Sequence, residues 1–170
     1  MSFSLIPKEI CPCLEALTPE LLEAHGVKLL MMDFDNTIVP YTTSVPTAQM
    51  DAWLRRMHAC SQVRLCIVSN TKKQRAPDFA AKYGIPIITH AKKPFPHGIR
   101  ECLRRFSLRP EECALVGDQI FTDVLGANCA GLRSILIPAI DNHTFLLKLR
   151  HLAELPFILI GKRRLQHEKH

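Results

Sequence analysis

Apolar and polar residues follow two patterns along this chain. Short, nearly continuous apolar runs, typical of strands buried on both faces, occupy residues 27–32, 63–68, 85–89, 113–116 and 134–137. Apolar residues spaced three or four apart, typical of amphipathic helices, occupy residues 46–60, 72–83, 96–106, 121–130 and 143–152. A short helix is also expected to begin at Thr18-Pro19 and to end at Gly26.

Strands that alternate with helices in this way predict an α/β fold: a doubly wound, Rossmann-like parallel sheet with helices on both faces. The length of 170 residues predicts a single domain over residues 1–170. Ligands of such sheets bind beyond the carboxyl ends of the strands. The polar residues that follow the predicted strand ends are Asp33, Asp35, Ser69, Asn70, Lys93, Asp118 and Asp123.

Two carboxylates, Asp33 and Asp35, directly follow the first apolar run. In a dry pocket they would repel each other, and a divalent cation or a proton on one of them relieves that repulsion. Both solutions suit phosphoryl transfer, because one carboxylate can attack phosphorus while the other protonates the leaving oxygen and later activates water. A surface turn is the common alternative, but the buried strand before the pair and Thr37-Ile38 after it favour catalysis.

Two more polar segments follow the second and third predicted strands. Ser69 and Asn70 offer a hydroxyl group and backbone N–H groups that can hold a phosphate oxygen, or else they form a turn that caps the next helix. Lys92 or Lys93 can stabilise both a nucleophilic carboxylate and a phosphoryl group, although surface lysines are common. Each signal is weak alone, and their agreement in position points to one site.

The segment from Gly117 to Asp123 follows the fourth predicted strand. Gly117 permits a tight turn, and Asp118 is placed to reach a metal ion held by Asp33. Asp123 falls in the first turn of the next helix, where the helix dipole favours an anion. Capping and a supporting role in the site are therefore compatible for Asp123.

Taken in order, Asp-x-Asp-x-Thr, Ser-Asn, Lys-Pro and Gly-Asp-x₄-Asp resemble the four motifs of the haloacid-dehalogenase (HAD) superfamily. The strings DFDNTIVP, IVSNTKK, AKKP and GDQIFTDVLGAN resemble those of YqeG-type phosphatases of HAD subfamily IIIA, and the mitochondrial phosphatidylglycerophosphate (PGP) phosphatases are similar. The resemblance covers residues 28–138. It implies a magnesium-dependent phosphatase, which hydrolyses phosphomonoesters through a phosphoaspartate.

The resemblance also implies roles for the acidic residues. Asp33 would be the nucleophile and a Mg²⁺ ligand. Asp35 would be the general acid/base, and its backbone carbonyl would also bind Mg²⁺. Asp118 would be the third protein ligand of Mg²⁺, with Asp123 as a supporting acid.

The same resemblance assigns the remaining matched residues. Lys93, which directly precedes Pro94, would be the catalytic lysine that steadies the nucleophile and the phosphate. The residues expected to bind the substrate are Thr37, Ser69 and Asn70.

The motif spacing leaves no room for a cap domain. Ser69 follows Asp33 by 36 residues and Lys93 follows Ser69 by 24, and predicted helices and strands fill both gaps. A cap with its own core would need about 50 residues. An open site suits a bulky phosphomonoester, for which the resemblance suggests PGP. A soluble sugar or nucleotide phosphate, or a non-enzymatic role with RNA, are the alternatives.

The net charge is +6, and residues 148–170 contribute +4 of it with six Lys or Arg and two acids. This basic stretch indicates either an anionic partner or a solvated tail. The charge permits an RNA partner, but the aromatic content of 6% and the lack of an RNA-binding aromatic pattern argue against nucleic acid.

Phe157 to Ile160 directly precede the basic residues Lys162 to Arg164. An apolar patch beside a basic cluster fits peripheral contact with anionic phospholipid, whereas the alternative is a last buried strand with solubilising charges at its end. No apolar run approaches the roughly 18 residues that a transmembrane segment needs. Seven cysteines without an export signal predict reduced thiols in a cytoplasmic protein, with any membrane contact peripheral to the inner face.

Overall fold

The computed structural model describes residues 3–141 and 145–167. A six-stranded sheet lies at its centre, in the order β1-β6-β5-β2-β3-β4, and every neighbouring pair of strands is parallel. The strands are β1 (Glu9–Ile10), β2 (Leu29–Met32), β3 (Arg64–Val68), β4 (Ile87–Ile88), β5 (Cys113–Gly117) and β6 (Arg133–Leu136). The predicted α/β class with a parallel sheet is confirmed.

The helices are α1 (Pro19–Ala24), α2 (Ala48–Ala59), α3 (Arg75–Tyr83), α4 (His97–Phe106), α5 (Leu125–Ala130) and α6 (Phe145–His167). The Thr18 and Thr47 hydroxyl oxygens cap α1 and α2 by accepting backbone N–H bonds. The predicted helix 121–130 differs in detail, because a π-helical turn (Ile120–Val124) precedes α5. Such turns concentrate at functional sites.

The apolar core forms two layers, one on each face of the sheet. Successive side chains of a strand point to opposite faces, so Leu30 and Met32 enter one layer while Leu29 and Met31 enter the other. The first layer is completed by residues of α2 and α3, among them Trp53, Leu54, Met57 and Phe79. The second is completed by residues of α4 and α5, among them Ile99, Cys102, Leu103 and Ala127.

Strand β1 was not anticipated from the sequence. Its two residues, Glu9 and Ile10, are too few to show either an apolar run or an alternation. Tertiary pairing with β6 defines the strand, and the Cys11 N–H extends the ladder by donating to the Leu136 carbonyl at 3.0 Å.

The C-terminal region corrects two expectations. The predicted helix 143–152 extends as α6 to His167, and Phe157 to Ile160 lie in this helix instead of a buried strand. The predicted start at His143 lies outside the described residues. The helix continues through Pro156 because its inner face is packed: Phe157 and Ile158 contact the π-helical turn and β6, which offsets the hydrogen bond that proline removes.

Helical geometry also divides the apolar patch Phe157 to Ile160, for which the sequence suggests contact with anionic phospholipid. Phe157 and Ile158 are half-buried, whereas Leu159 and Ile160 are 57% and 49% exposed. Residues successive in a helix are turned by about 100°, so four neighbours cannot share one face. Only part of that patch is therefore open to a partner.

No further folded unit is inserted between the strands in the described ranges 3–141 and 145–167. The segments between strands contain the helices named above and short turns. The described ranges therefore contain no segment that could form a cap domain over the carboxyl ends of the strands.

Candidate active site

Asp33 is the first residue after β2 and lies in the centre of the sheet. Its backbone N–H donates to the Val116 carbonyl at 3.0 Å, which continues the β2–β5 ladder by one step. The chain then turns back on itself: Asn36 has a positive φ of 61°, and Asp35 forms an isolated bridge with Val39. Asp35 is half-buried in this turn and lines the same cavity as Asp33.

The Lys93 ammonium group bridges two carboxylates. Its Nζ lies 2.7 Å from Asp33 Oδ1 and 2.7 Å from Asp123 Oδ1, and all three side chains are buried. Burial raises the pKa of Asp33 to about 6; the Lys93 charge opposes this rise and the Asp123 charge adds to it. Burial alone would lower the pKa of Lys93, but Asp123 and Asp33 outweigh it and raise that pKa.

Asn70 sets the backbone of Lys93. The Asn70 Nδ2 donates to the Lys93 carbonyl at 2.9 Å, and the Lys93 N–H donates to Asn70 Oδ1 at 2.7 Å. Both polar ends of this side chain thus contact the loop after β4, and Asn70, which is expected to bind substrate, lines the same cavity as Asp33. The preceding residue Lys92 has a positive φ of 57° and an exposed side chain, which leaves Lys93 as the lysine of the site.

Ser69 and Thr37 line different cavities. Ser69 is buried at the end of β3, its Oγ accepts the Thr71 N–H at 3.2 Å, and it lines the same cavity as Asp33. Thr37 is fully buried and lines a neighbouring cavity with Ile38 and Met50. The turn at Asn36 directs Thr37 inward, so its expected contact with substrate finds no support in this placement.

Three carboxylates converge at the ends of β2 and β5. Oxygen atoms of Asp33, Asp118 and Asp123 lie within 4.8 Å of one another, and all three residues are buried. Asp123 Oδ2 also accepts the Gln119 N–H at 3.2 Å while its Oδ1 faces Lys93. Both oxygens of Asp123 are therefore engaged, which fits a supporting acid better than a metal ligand.

Gly117, the last residue of β5, leaves room for this arrangement. A Cβ atom at Gly117 would lie 2.3 Å from Asp123 Cγ, far inside the contact distance. The Asp123 side chain thus occupies the space that any other residue at position 117 would fill.

Asp33 and Asp35 line a cavity of about 380 Å³. Ser69 and Lys93 are buried lining residues of this cavity, whereas Tyr41, Lys72 and Lys73 are exposed and therefore lie at its mouth. Burial raises the pKa of Asp35, which Arg75 and Lys73 oppose. A carboxyl with a raised pKa can carry the proton that general acid catalysis requires.

Sequence reasoning missed Arg75. Its Nη1 lies 3.1 Å from Asp35 Oδ1, and both side chains are only 15% exposed. The one available signal was its position, since Arg75 is the first residue of α3 and a cation there opposes the helix dipole. That mismatch indicates a compensating partner nearby.

Comparisons with known proteins identify the family of this chain. The family model described as "Mitochondrial PGP phosphatase" matches residues 2–139. The probable phosphatase YqeG of Bacillus subtilis is 31% identical over 160 residues, covering 94% of this chain and 92% of its own. The mitochondrial phosphatidylglycerophosphatase GEP4 of Saccharomyces cerevisiae is 33% identical over 126 residues, covering 66% of this chain and 67% of its own.

A solved structure supports the fold alone. The putative HAD-superfamily (subfamily III A) hydrolase from Legionella pneumophila superposes with a TM-score of 0.53 at 16% identity, covering 77% of this chain and 74% of that one. The sequence comparisons show that this chain is a phosphatase of the mitochondrial PGP phosphatase family, and its fold is similar to that of a HAD-superfamily hydrolase.

Proposed function

We propose that this phosphatase is magnesium-dependent and forms a phosphoaspartate on Asp33. The observation that carries the proposal is the buried Asp33 carboxylate at the end of β2, held at 2.7 Å by Lys93 and facing the open cavity. An Asp33 oxygen attacks phosphorus, the bond from phosphorus to the leaving oxygen breaks, and water then attacks the phosphorus of the phosphoaspartate. The second step releases phosphate and restores Asp33.

Asp35 is the acid and base of this scheme. It lines the same cavity as Asp33, two residues further along the chain. Because burial raises the pKa of Asp35, the carboxyl can carry the proton that the leaving oxygen needs. After that transfer the carboxylate can accept a proton from the attacking water.

The donor set fits Mg²⁺. Asp33 and Asp118 offer carboxylate oxygens within 4.8 Å of one another, and Mg²⁺ prefers oxygen ligands. The backbone carbonyl of Asp35 is the expected third protein ligand. When bound, Mg²⁺ neutralises charge on the phosphate oxygens. Lys93 supplies further positive charge, and the hydroxyl of Ser69 is available to a phosphoryl oxygen.

PGP is the proposed substrate. It carries a terminal phosphomonoester and an internal phosphodiester, hence two anionic groups of different reactivity. Lys93 is buried beside the nucleophile, whereas Lys72 and Lys73 lie at the mouth of the same cavity. This arrangement offers one cation to the reacting phosphate and two more to the phosphodiester, and the open mouth leaves room for the lipid.

We define the rim as the loops after β2 and β4, which carry the cavity residues Tyr41 and Lys93. Its composition suits peripheral contact with an anionic bilayer. Three large apolar side chains on the loops after β2 and β4 are exposed: Tyr41 at 43%, Val45 at 71% and Phe95 at 70%. The exposed Lys92 lies on the loop after β4, and the exposed Lys72 and Lys73 lie on the loop after β3. Apolar side chains combined with basic ones are the composition that binds anionic interfaces.

Helix α6 is less well placed for this purpose. Its Glu154 contacts Ile120 near the site, whereas Lys162 and Leu165 line a cavity with Lys8 and Arg133 at the opposite end of the sheet. The basic cluster therefore points away from the catalytic mouth. Within the described residues, no helix is both long and apolar enough to cross a membrane.

Phosphate release from three substrates tests the substrate proposal: PGP in vesicles, a hexose phosphate and a nucleoside monophosphate. We expect PGP to be hydrolysed with the highest kcat/KM in the presence of Mg²⁺, and Lys72→Gln/Lys73→Gln to lower kcat/KM for PGP more than for the small substrates. A higher kcat/KM for a soluble phosphate would favour the alternative, a phosphatase of small metabolites.

Vesicle binding tests the rim. Val45→Ser/Phe95→Ser should weaken binding to anionic vesicles at low salt, with Lys162→Gln/Arg163→Gln on α6 as the matched control. Weaker binding in the α6 variant, with the rim variant unaffected, would transfer the contact to α6.

A further inference from the structure

We infer that Arg75 is a positioning residue, which holds Asp35 and its loop in the geometry that proton transfer requires. This inference rests on the proposed role of Asp35 as the acid. It concerns a residue outside the four motifs, at the start of the helix that follows Ser69 and Asn70.

The Arg75 guanidinium group ties together the loop that carries Asp35. Its Nη1 donates to the Tyr41 carbonyl at 2.6 Å, and its Nη2 donates to the carbonyls of Pro40, at 2.7 Å, and Thr43. All three carbonyls belong to the segment just after the turn at Asn36. One side chain on α3 therefore anchors a loop that has no regular secondary structure of its own.

The same group faces the proposed acid. Nη1 lies 3.1 Å from Asp35 Oδ1, close enough for an ion pair, although the contact lacks the alignment of a hydrogen bond. The guanidinium also lies over the Phe34 ring, 5.0 Å from its centroid. Carbonyls and ring thus fix Arg75, while the looser contact lets the Asp35 carboxyl turn toward a leaving oxygen.

Only arginine fits these contacts. Its planar fork presents donors in several fixed directions, whereas the lysine ammonium is a single point on a flexible stem. A lysine at position 75 could reach the Asp35 carboxylate or the loop carbonyls, but not all of them together. We therefore expect Arg75→Lys to restore the activity lost in Arg75→Gln only in part.

The experiment varies the leaving group. An alkyl phosphate needs a proton on its leaving oxygen, whereas p-nitrophenyl phosphate needs little proton transfer from an acid. We expect Arg75→Gln to lower kcat/KM for an alkyl phosphate by about 10²-fold, within the range of general acid catalysis, and for p-nitrophenyl phosphate by less than about tenfold. The control is Arg56→Gln, which removes a surface ion pair with Glu20 and should change neither value.

Two results would overturn the inference: equal losses on both substrates, or no loss on the alkyl phosphate. Asp35→Asn, assayed in parallel, separates this inference from the proposed function. If Asp35→Asn shows no dependence on the leaving group, the acid role itself fails. If the loss in Asp35→Asn depends on the leaving group and the losses in Arg75→Gln and Arg75→Lys do not, only the role of Arg75 fails.

Discussion

Lys93 and Asp33 are 60 residues apart in the sequence, yet Lys93 Nζ lies 2.7 Å from Asp33 Oδ1. The sheet order explains the contact, because β2 lies next to β3 and β3 next to β4, so the loops after these strands converge. Lys93 thereby supplies the positive charge that offsets the cost of burying two carboxylates, Asp33 and Asp123.

Lys93→Met should destabilise the metal-free protein. Removing one partner of a buried ion pair typically costs about 3–5 kcal/mol, because the remaining charges stay buried without compensation. Urea unfolding at neutral pH in chelator measures the effect. Lys92→Met is the matched control, since that side chain is exposed; equal stability of both variants would contradict the bridging role.

Asp33→Asn should abolish turnover while the protein stays folded. The change is nearly isosteric, and without the carboxylate no phosphoaspartate can form. Acid-quenched protein incubated with labelled substrate should carry label in the wild type and none in Asp33→Asn, with circular dichroism as the test of folding. Normal turnover by a folded Asp33→Asn protein would exclude the covalent mechanism.

Removal of Mg²⁺ should abolish activity, and Ca²⁺ should bind without restoring it. Asp33, Asp118 and the phosphate are all anionic, so their approach needs a cation. Ca²⁺ has a larger and looser coordination sphere than Mg²⁺, which would misplace the attacking carboxylate. Assays in excess chelator, then with each ion added back, provide the test, and full activity in chelator would refute the site.

The pKa of Asp33 predicts how the stability of the metal-free protein depends on pH. Burial raises this pKa from 3.8 to about 6, so between those values the folded state binds more protons than the unfolded state. The contribution of Asp33 to the free energy of unfolding is fully present below pH 3.8, and it is lost as the pH rises through about 6.

Thermal unfolding in chelator across this pH range measures the loss, and Asp33→Asn should lack it. Saturating Mg²⁺ should reduce it in the wild type, because a nearby cation favours the ionised carboxylate. A curve for Asp33→Asn that matches the wild type would contradict the assignment.

Gly117→Ala should impair both stability and activity. The added Cβ would lie 2.3 Å from Asp123 Cγ, which forces Asp123 away from Lys93. Overpacking of this kind typically costs about 1–3 kcal/mol. Gly26→Ala is the control: its Cβ meets nothing within 4 Å, so only the strain of a positive φ, about 1–2 kcal/mol, should appear, with kcat/KM unchanged.

Much of the sheet could be predicted because buried parallel strands give continuous apolar runs. Met31 and Cys66, for example, pair in register across β2 and β3. The edge strand β1 could not, since two residues carry no periodicity. The full length of α6 could not either, because Pro156 suggests an end, and only packing against the π-helical turn shows that the helix continues.

The cluster of Asp33, Lys93, Asp118 and Asp123 could be predicted from motif order, since all four residues follow strand ends. The inward direction of Thr37 could not, because it depends on the positive φ of the preceding Asn36. The role of Arg75 could not be predicted either, because its partners are mainly backbone carbonyls, which every residue has whatever its side chain.

Helix α6 also matters for any attempt to define a minimal catalytic fragment. Glu154 accepts the buried Ile120 N–H at 2.9 Å, and Phe157 and Ile158 cover the turn that carries Asp123. A protein shortened to residue 139 would keep every residue of the proposed chemistry, yet Ile120 would lose its acceptor and the turn its apolar cover. Helix α6 thus supports the turn that carries Asp123, and we expect its removal to abolish activity although no reacting group is lost.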